Sequence, residues 1–212
     1  MILSAQHKTL LSVFEKKFIQ MLLEDDQIIA FPTDTVYGLG VNAKSSKAVN
    51  KLYEIKKRNQ NKAFILMLDT LDKVRTYIAD ANLADTPILK KYWPGPLSVI
   101  FEAKPGVSIF YSRASCETIG IRIPNQVLLL DLLAFLPFPI ASTSANISDE
   151  QPLTNALSIE QTFNQKSKKQ QIACIIDGGS LIGAPSTVVQ LNSNSAKLLR
   201  NGSIDISDEA LP

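Results

Sequence analysis

One histidine, two cysteines and one tryptophan among 212 residues leave little material for several kinds of chemistry. A His/Cys zinc site calls for about four ligands at close spacing, and His7, Cys116 and Cys174 are scattered. A Ser-His-Asp or Cys-His enzyme would have to use His7, which sits near the start, where chains often fray. Both classes are set aside. The two cysteines lie far apart in a sequence without a signal-peptide pattern, which is the usage of reduced thiols in a cytoplasmic protein. Neither sign of charge is in excess: 22 Lys+Arg against 20 Asp+Glu leave +2, too little for coating nucleic acid or membrane by bulk electrostatics. Long apolar runs are absent as well. The best stretch, Val127 to Ile140, is broken by Asp131 and two prolines before it reaches the roughly 18 residues of a membrane span.

What is present is a globular composition, 45% hydrophobic and 20% charged, at a length that favours one compact domain over 1–212. Leu11, Phe14, Phe18 and Met21 recur at helical spacing with charges between them, predicting an amphipathic first helix. A strand over 27–31 follows, then a turn-rich stretch from Pro32 to Gly40, then a helix capped by Ser46 with Ala48, Leu52 and Ile55 on one face. Phe64 to Leu68 and Leu97 to Phe101 predict strands, and Thr86-Pro87 opens a helix that Pro94 closes near Trp93. Residues 118–123 alternate strictly, so the isoleucines share one face and Thr118, Gly120 and Arg122 the other. A leucine-rich helix starts at Asn125, and strands are expected over 139–142, 173–176, 187–191 and 197–199. The polar stretch from Asn164 to Gln171, with Lys166, Lys168 and Lys169, is expected to be a solvated loop. The order of elements predicts one mixed α/β sheet flanked by helices.

Eight of the nine glycines stand in turn-like clusters beside Thr, Ser, Asn or Arg; Gly106 is the exception. Each cluster alone is explained by a tight turn. Gly38-Leu39-Gly40-Val41-Asn42-Ala43 formally matches a dinucleotide fingerprint, but six residues separate it from the strand, and no acidic residue ends a second strand at the right distance. No Walker motif occurs. Lys56 and Arg58 end the second helix, where they either complement its dipole or share a face in the extended chain beyond it. Ser144 and Asn146 either cap the next turn or hydrogen-bond phosphate or ribose oxygens. Arg122 suits a carboxylate or phosphate on a face where Gly120 leaves room, or else a surface ion pair. Arg200 and Ser186-Thr187 add polar groups near strand ends. This inventory lacks an evident acid-base dyad or nucleophile and suits anion binding.

The stretch Pro32-Thr33-Asp34-Thr35-Val36-Tyr37-Gly38-Leu39-Gly40 resembles the signature of the TsaC/YrdC family of threonylcarbamoyl-AMP synthases. The resemblance continues in family order through Lys56-x-Arg58, Trp93-Pro94-Gly95-Pro96, Gly120 to Pro124, Thr143 to Asn146, Asp177-Gly178-Gly179, Pro185 to Val189 and Leu199-Arg200. It implies a YrdC-like fold: an open twisted sheet with a large, positively charged concave cavity. It also implies an enzyme that condenses L-threonine, bicarbonate and ATP, accompanied by Mg²⁺, into threonylcarbamoyl-AMP and pyrophosphate. The product then serves threonylcarbamoylation of a tRNA adenosine through a downstream transferase complex, with tRNA itself a candidate contact and no membrane involved. Carried over by position, Lys56, Arg58, Thr118, Ser144, Asn146 and Arg200 fall on the ATP side, with Lys56 and Arg58 catalytic. Thr33, Arg122, Ser142 and Ser186 fall on the threonine side, Ser142 as a main-chain position.

Asn59, Ala63, Asp149 and Asn201 depart from the family's usual residues, and they bear on loop rigidity more than on chemistry. With Arg200 close to its last residue, the sequence is expected to be the short form, without the longer branch's extra domain. The alternatives are a YciO-like protein, which lacks the complete Lys-x-Arg and Ser-x-Asn set, and a non-catalytic RNA-binding module of the same fold.

Overall fold

A computed structural model describes residues 1–59, 62–107, 117–164, 171–193 and 195–206. Cys116 and the lysines of the polar stretch at 166, 168 and 169 lie outside the described residues. In chain order the elements are β1 (Ile2–Ser4), α1 (Val13–Glu24), β2 (Ile29–Phe31), β3 (Gly38–Asn42), α2 (Ser46–Lys56), β4 (Ile65–Met67) and α3 (Leu71–Arg75). A 3-10 turn (Ala81–Asp85), α4 (Pro87–Tyr92), β5 (Leu97–Glu102), β6 (Thr118–Arg122), α5 (Val127–Phe135), β7 (Ile140–Ser144) and α6 (Ala156–Phe163) follow. β8 (Cys174–Asp177), β9 (Thr187–Asn192) and β10 (Ser195–Arg200) complete the set among the described residues.

The strands form one mixed ten-stranded sheet in the order β1-β8-β2-β3-β7-β4-β6-β5-β9-β10. Alternation along the strands divides two apolar layers. Ala30, Leu66, Ala141 and Ile175 point to one side, with α2, α4 and α6, while Ile29, Phe31, Met67, Ile140, Cys174 and Ile176 point to the other, with α1 and α5. No described helix is long and apolar enough to cross a membrane.

Several local expectations shift. The N-terminal segment is tied down rather than frayed, because Ile2, Leu3 and Ser4 pair in parallel with β8. In α1 the buried residues are Ile19 and Leu23, whereas Phe14 is 87% exposed and Met21 is exposed. Both stripes have helical spacing. Lys16 orients the helix on α5 through an ion pair with Asp131 at 2.9 Å. The cap of α2 is Ser45, one residue earlier than expected, with its Oγ accepting from the Ala48 N–H.

Gly38 and Gly40 stand in β3, not in a turn, so the dinucleotide reading has no structural basis. A Cβ on Gly40 would lie 2.5 Å from Ile140 Cγ2 and 2.6 Å from Phe31 Cε1: the ring of Phe31 lies across β3 and requires glycine there. Gly120 leaves no open room either. The side-chain ends of Ile65 and Ile100 fill its place, at 2.6 and 2.9 Å from an added Cβ.

Candidate active site

The site begins at the loop between β2 and β3. Thr33 Oγ1 donates to the Val36 carbonyl (2.6 Å) and accepts from the Thr35 N–H (3.0 Å), with Thr35 Oγ1 also 3.0 Å away. One donor and two acceptor positions are then occupied, so the Thr33 hydroxyl shapes the loop. Tyr37 anchors the other end. Its hydroxyl accepts from the Gly178 N–H (3.0 Å) and donates to the Gly179 carbonyl (2.7 Å), tying the Asp-Gly-Gly turn to this loop. Burial pushes the phenol up to about 12, so it stays protonated.

Arg122 closes β6 beneath that loop. Its Nε donates to the Gly95 carbonyl (3.1 Å), one terminal nitrogen to Thr35 Oγ1 (3.1 Å) and the other to Asp34 Oδ1 (2.6 Å). Each terminal nitrogen keeps one N–H beyond these bonds, a fork suited to a carboxylate. Burial lowers the Arg122 pKa, and Asp34 opposes that shift. The Trp-Pro-Gly-Pro turn serves this arrangement. Trp93 Nε1 donates to the Leu97 carbonyl (2.7 Å), and the Gly95 N–H to that of Ile123 (2.8 Å), presenting the Gly95 carbonyl to Arg122.

A small pocket of about 140 Å³ opens beside Arg122, lined among others by Thr33, Gly38, Ser98, Ser142, Ser186 and Arg200. Ser142 is 1% exposed, and its Oγ has no hydrogen-bond partner among the described residues. A second pocket of about 410 Å³ shares Arg58, Ser144, Pro185 and Arg200 with the first. Its lining carries Lys56, Lys57, Arg58, Lys62 and Arg200 against Asp149 and Glu150, a positive excess.

Lys56 ends α2 and Lys57 turns left-handed (φ 50°), so Lys56 and Arg58 arrive from a tight turn rather than from an extended chain. The Lys56 ammonium is not held by its own helix. It donates to the Ser144 carbonyl (2.6 Å) and Asn146 Oδ1 (3.0 Å) and is 1% exposed. Burial, reinforced by the Arg58 charge, lowers it to about 7. Asn146 is fully engaged: its Oδ1 also accepts from Ser144 Oγ (2.6 Å), and its amide donates to the Ile147 and Glu150 carbonyls (2.8 and 2.7 Å). It therefore holds Lys56 and the following loop. Arg58 clamps the Lys62 and Ala63 carbonyls (2.9 and 3.0 Å). Arg200 reaches the Ser186 carbonyl from both Nε (3.2 Å) and NH2 (2.7 Å).

Nine of the ten carried-over residues thus line at least one of the two pockets that share a wall. Thr118 lies apart from them. It is exposed at the far end of β6 from Arg122 and lines a separate cavity with Glu102, Lys104 and Gln190. Strand alternation places residues on a face but not at an end. Asp34, Thr35 and Ser98 join the site without being candidates from the sequence, although a serine between Leu97 and Val99 in an apolar strand is a readable signal.

Among the described residues there is no cluster of three or more His, Cys, Asp or Glu able to hold a metal. Asp149 and Glu150 are the carboxylates of the cationic pocket, and Asp149 faces Lys62 at 3.8 Å. Cys174 is a free thiol, buried and pushed up to about 11.

Comparison with known proteins gives the chain's relatives. The threonylcarbamoyl-AMP synthase of Bacillus subtilis strain 168 is 36% identical over 184 residues, covering 86% of this chain and 52% of the relative. That of Pyrococcus abyssi is 32% identical over 187 residues, covering 88% and 53%. The chain spans about half the length of these curated relatives. The crystal structure of P. abyssi Sua5 complexed with L-threonine superposes with a TM-score of 0.82 at 29% identity, covering 95% of this chain and 57% of that one. The Sua5/YciO/YrdC family model, described as telomere recombination, matches residues 21–202, and the chain belongs to that family.

Proposed function

We propose that the chain is an L-threonylcarbamoyl-AMP synthase acting as a nucleotidyltransferase in the cytoplasm, with L-threonine, bicarbonate and ATP as substrates. The observation that carries this reading is the pair of pockets, one small and one cationic, sharing a wall of Arg58, Ser144, Pro185 and Arg200. The names of the relatives support it, as does the threonine complex of the Pyrococcus protein.

Threonine enters the small pocket, its carboxylate on the Arg122 fork and the Ser186 hydroxyl. Its amine and bicarbonate give a carbamate and water. A carbamate oxygen then attacks the α-phosphorus, the bond to the β-phosphate oxygen breaks, and pyrophosphate leaves. Two anions must meet at the shared wall, so Arg58, Arg200 and Lys56 offset the charge there. Asn146 acts by holding Lys56 rather than by touching ATP. Mg²⁺ would travel with the nucleotide, held by its phosphates and water, and would offset phosphate charge; Asp149 and Glu150 of the cationic pocket are the carboxylates that would add to that shell. The product is a mixed anhydride, and an acyl transfer to an amine, here a tRNA adenosine served by a transferase complex, must consume it.

The test supplies ATP, Mg²⁺, threonine and bicarbonate and measures pyrophosphate together with the mass of the nucleotide product. Release requires all the substrates, and the product carries threonine and one carboxyl carbon. Release that is indifferent to threonine or bicarbonate overturns the reading.

A further inference from the structure

Ser98 lies on β5 facing the small pocket, 1% exposed, and its Oγ is 2.9 Å from Ser186 Oγ. Ser186 Oγ also accepts from Arg200 NH2 (3.3 Å). Among the described residues, Ser98 Oγ has no other hydrogen-bond partner. Three side chains from β5, the entry to β9 and the end of β10 therefore meet in one chain of hydrogen bonds, between the small pocket and the cationic one.

We infer that Ser98 is a positioning residue for the amino-acid substrate: it fixes the direction of the Ser186 hydroxyl so that Ser186 donates into the small pocket. The inference rests on the proposed threonine site and adds a residue to it. A hydroxyl has one proton and two acceptor positions. Arg200 occupies one acceptor of Ser186. A carboxylate only accepts, so with an amino acid bound the Ser186 proton goes to it, and the remaining acceptor receives the Ser98 proton. The order becomes Ser98 to Ser186 to carboxylate, every position filled. Without the Ser98 hydroxyl, the Ser186 proton loses the bond that holds its rotor, while Arg200 keeps both of its bonds to the Ser186 carbonyl. The defect therefore falls on the amino acid more than on the nucleotide.

The test compares wild type, Ser98→Ala and Ser98→Thr, using calorimetric titration with L-threonine and steady-state pyrophosphate release. Expected for Ser98→Ala is about a five-fold rise in threonine Kd and KM, the value of one hydrogen bond of about 1 kcal/mol. The ATP KM stays within about two-fold, and Ser98→Thr, which returns a hydroxyl, recovers most of the loss. Equal threonine affinity in wild type and Ser98→Ala overturns the role of Ser98 alone. So does a parallel rise in both KM values with a fall in kcat, the pattern of general structural damage. Failure of wild type to bind threonine at all overturns the functional reading and this inference with it.

Discussion

Arg122 and Asp34 form a buried ion pair, with NH2 and Oδ1 2.6 Å apart and both side chains largely withdrawn from solvent. Asp34 Oδ2 has no hydrogen-bond partner among the described residues, so the pair is held by one short contact and by the other bonds of Arg122. Removing one charge leaves the other buried and uncompensated, which costs about 3–5 kcal/mol. Asp34→Ala is therefore expected to lose stability of that order in urea unfolding, while Arg122→Ala additionally abolishes threonine binding. An Asp34→Ala protein within about 0.5 kcal/mol of wild type contradicts the pairing.

Lys56 carries a pH signature. Its pKa falls from the ordinary 10.5 to about 7, first through burial and then through Arg58. Between those values the unfolded chain holds a proton that the folded chain has released, so this group adds stability as pH rises from about 7 to 10.5 and adds none below. Lys56→Met removes the titration. Its unfolding free energy, followed from about pH 6 to about pH 11, is expected to rise less steeply than that of wild type. Nucleotide anions favour the charged ammonium, so their binding takes up a proton in the same window. Calorimetry in two buffers of different ionisation enthalpy detects that uptake, and the variant shows less. Parallel stability curves in the two proteins refute the assignment.

The motifs of the family resemblance name most of the residues around the two pockets, and a strand's period of two shows which residues of one strand share a face. Ser142 on β7 and Arg122 on β6 line one pocket because β4 pairs with both strands between them, a neighbourhood that alternation alone does not show. The same rule sets Thr118 on the face of Arg122 without registering the roughly 13 Å that separates positions four residues apart along one strand. The engagement of Asn146 is not legible, because its amide bonds depend on where the Ile147 and Glu150 carbonyls turn. Ser45 and Ser46 are equivalent to composition, and only the Ala48 N–H distinguishes them.

Gly40 tests the packing beneath the site. An added methyl would meet Ile140 and the ring of Phe31 at 2.5 and 2.6 Å, so Gly40→Ala is expected to cost about 1–3 kcal/mol through overpacking. Shortening the obstruction with Phe31→Leu in the same chain should recover part of that cost. A double-mutant cycle then shows a favourable coupling between the two substitutions. Strict additivity contradicts the contact.

Ser142 sets stability against binding. Its hydroxyl is buried without a partner among the described residues, an arrangement that costs folding free energy until a ligand supplies the missing bond. Ser142→Ala removes the orphaned group, so the unliganded protein should be as stable as wild type or more so. Threonine affinity should fall about five- to ten-fold, the value of one hydrogen bond of roughly 1–1.4 kcal/mol, with the ATP KM little changed. The two measurements move in opposite directions, which general loss of fold cannot imitate. Thermal unfolding of both proteins with and without threonine is the check. A variant that melts lower than wild type when unliganded, and gains as much from threonine, shows that the hydroxyl serves the fold rather than the ligand.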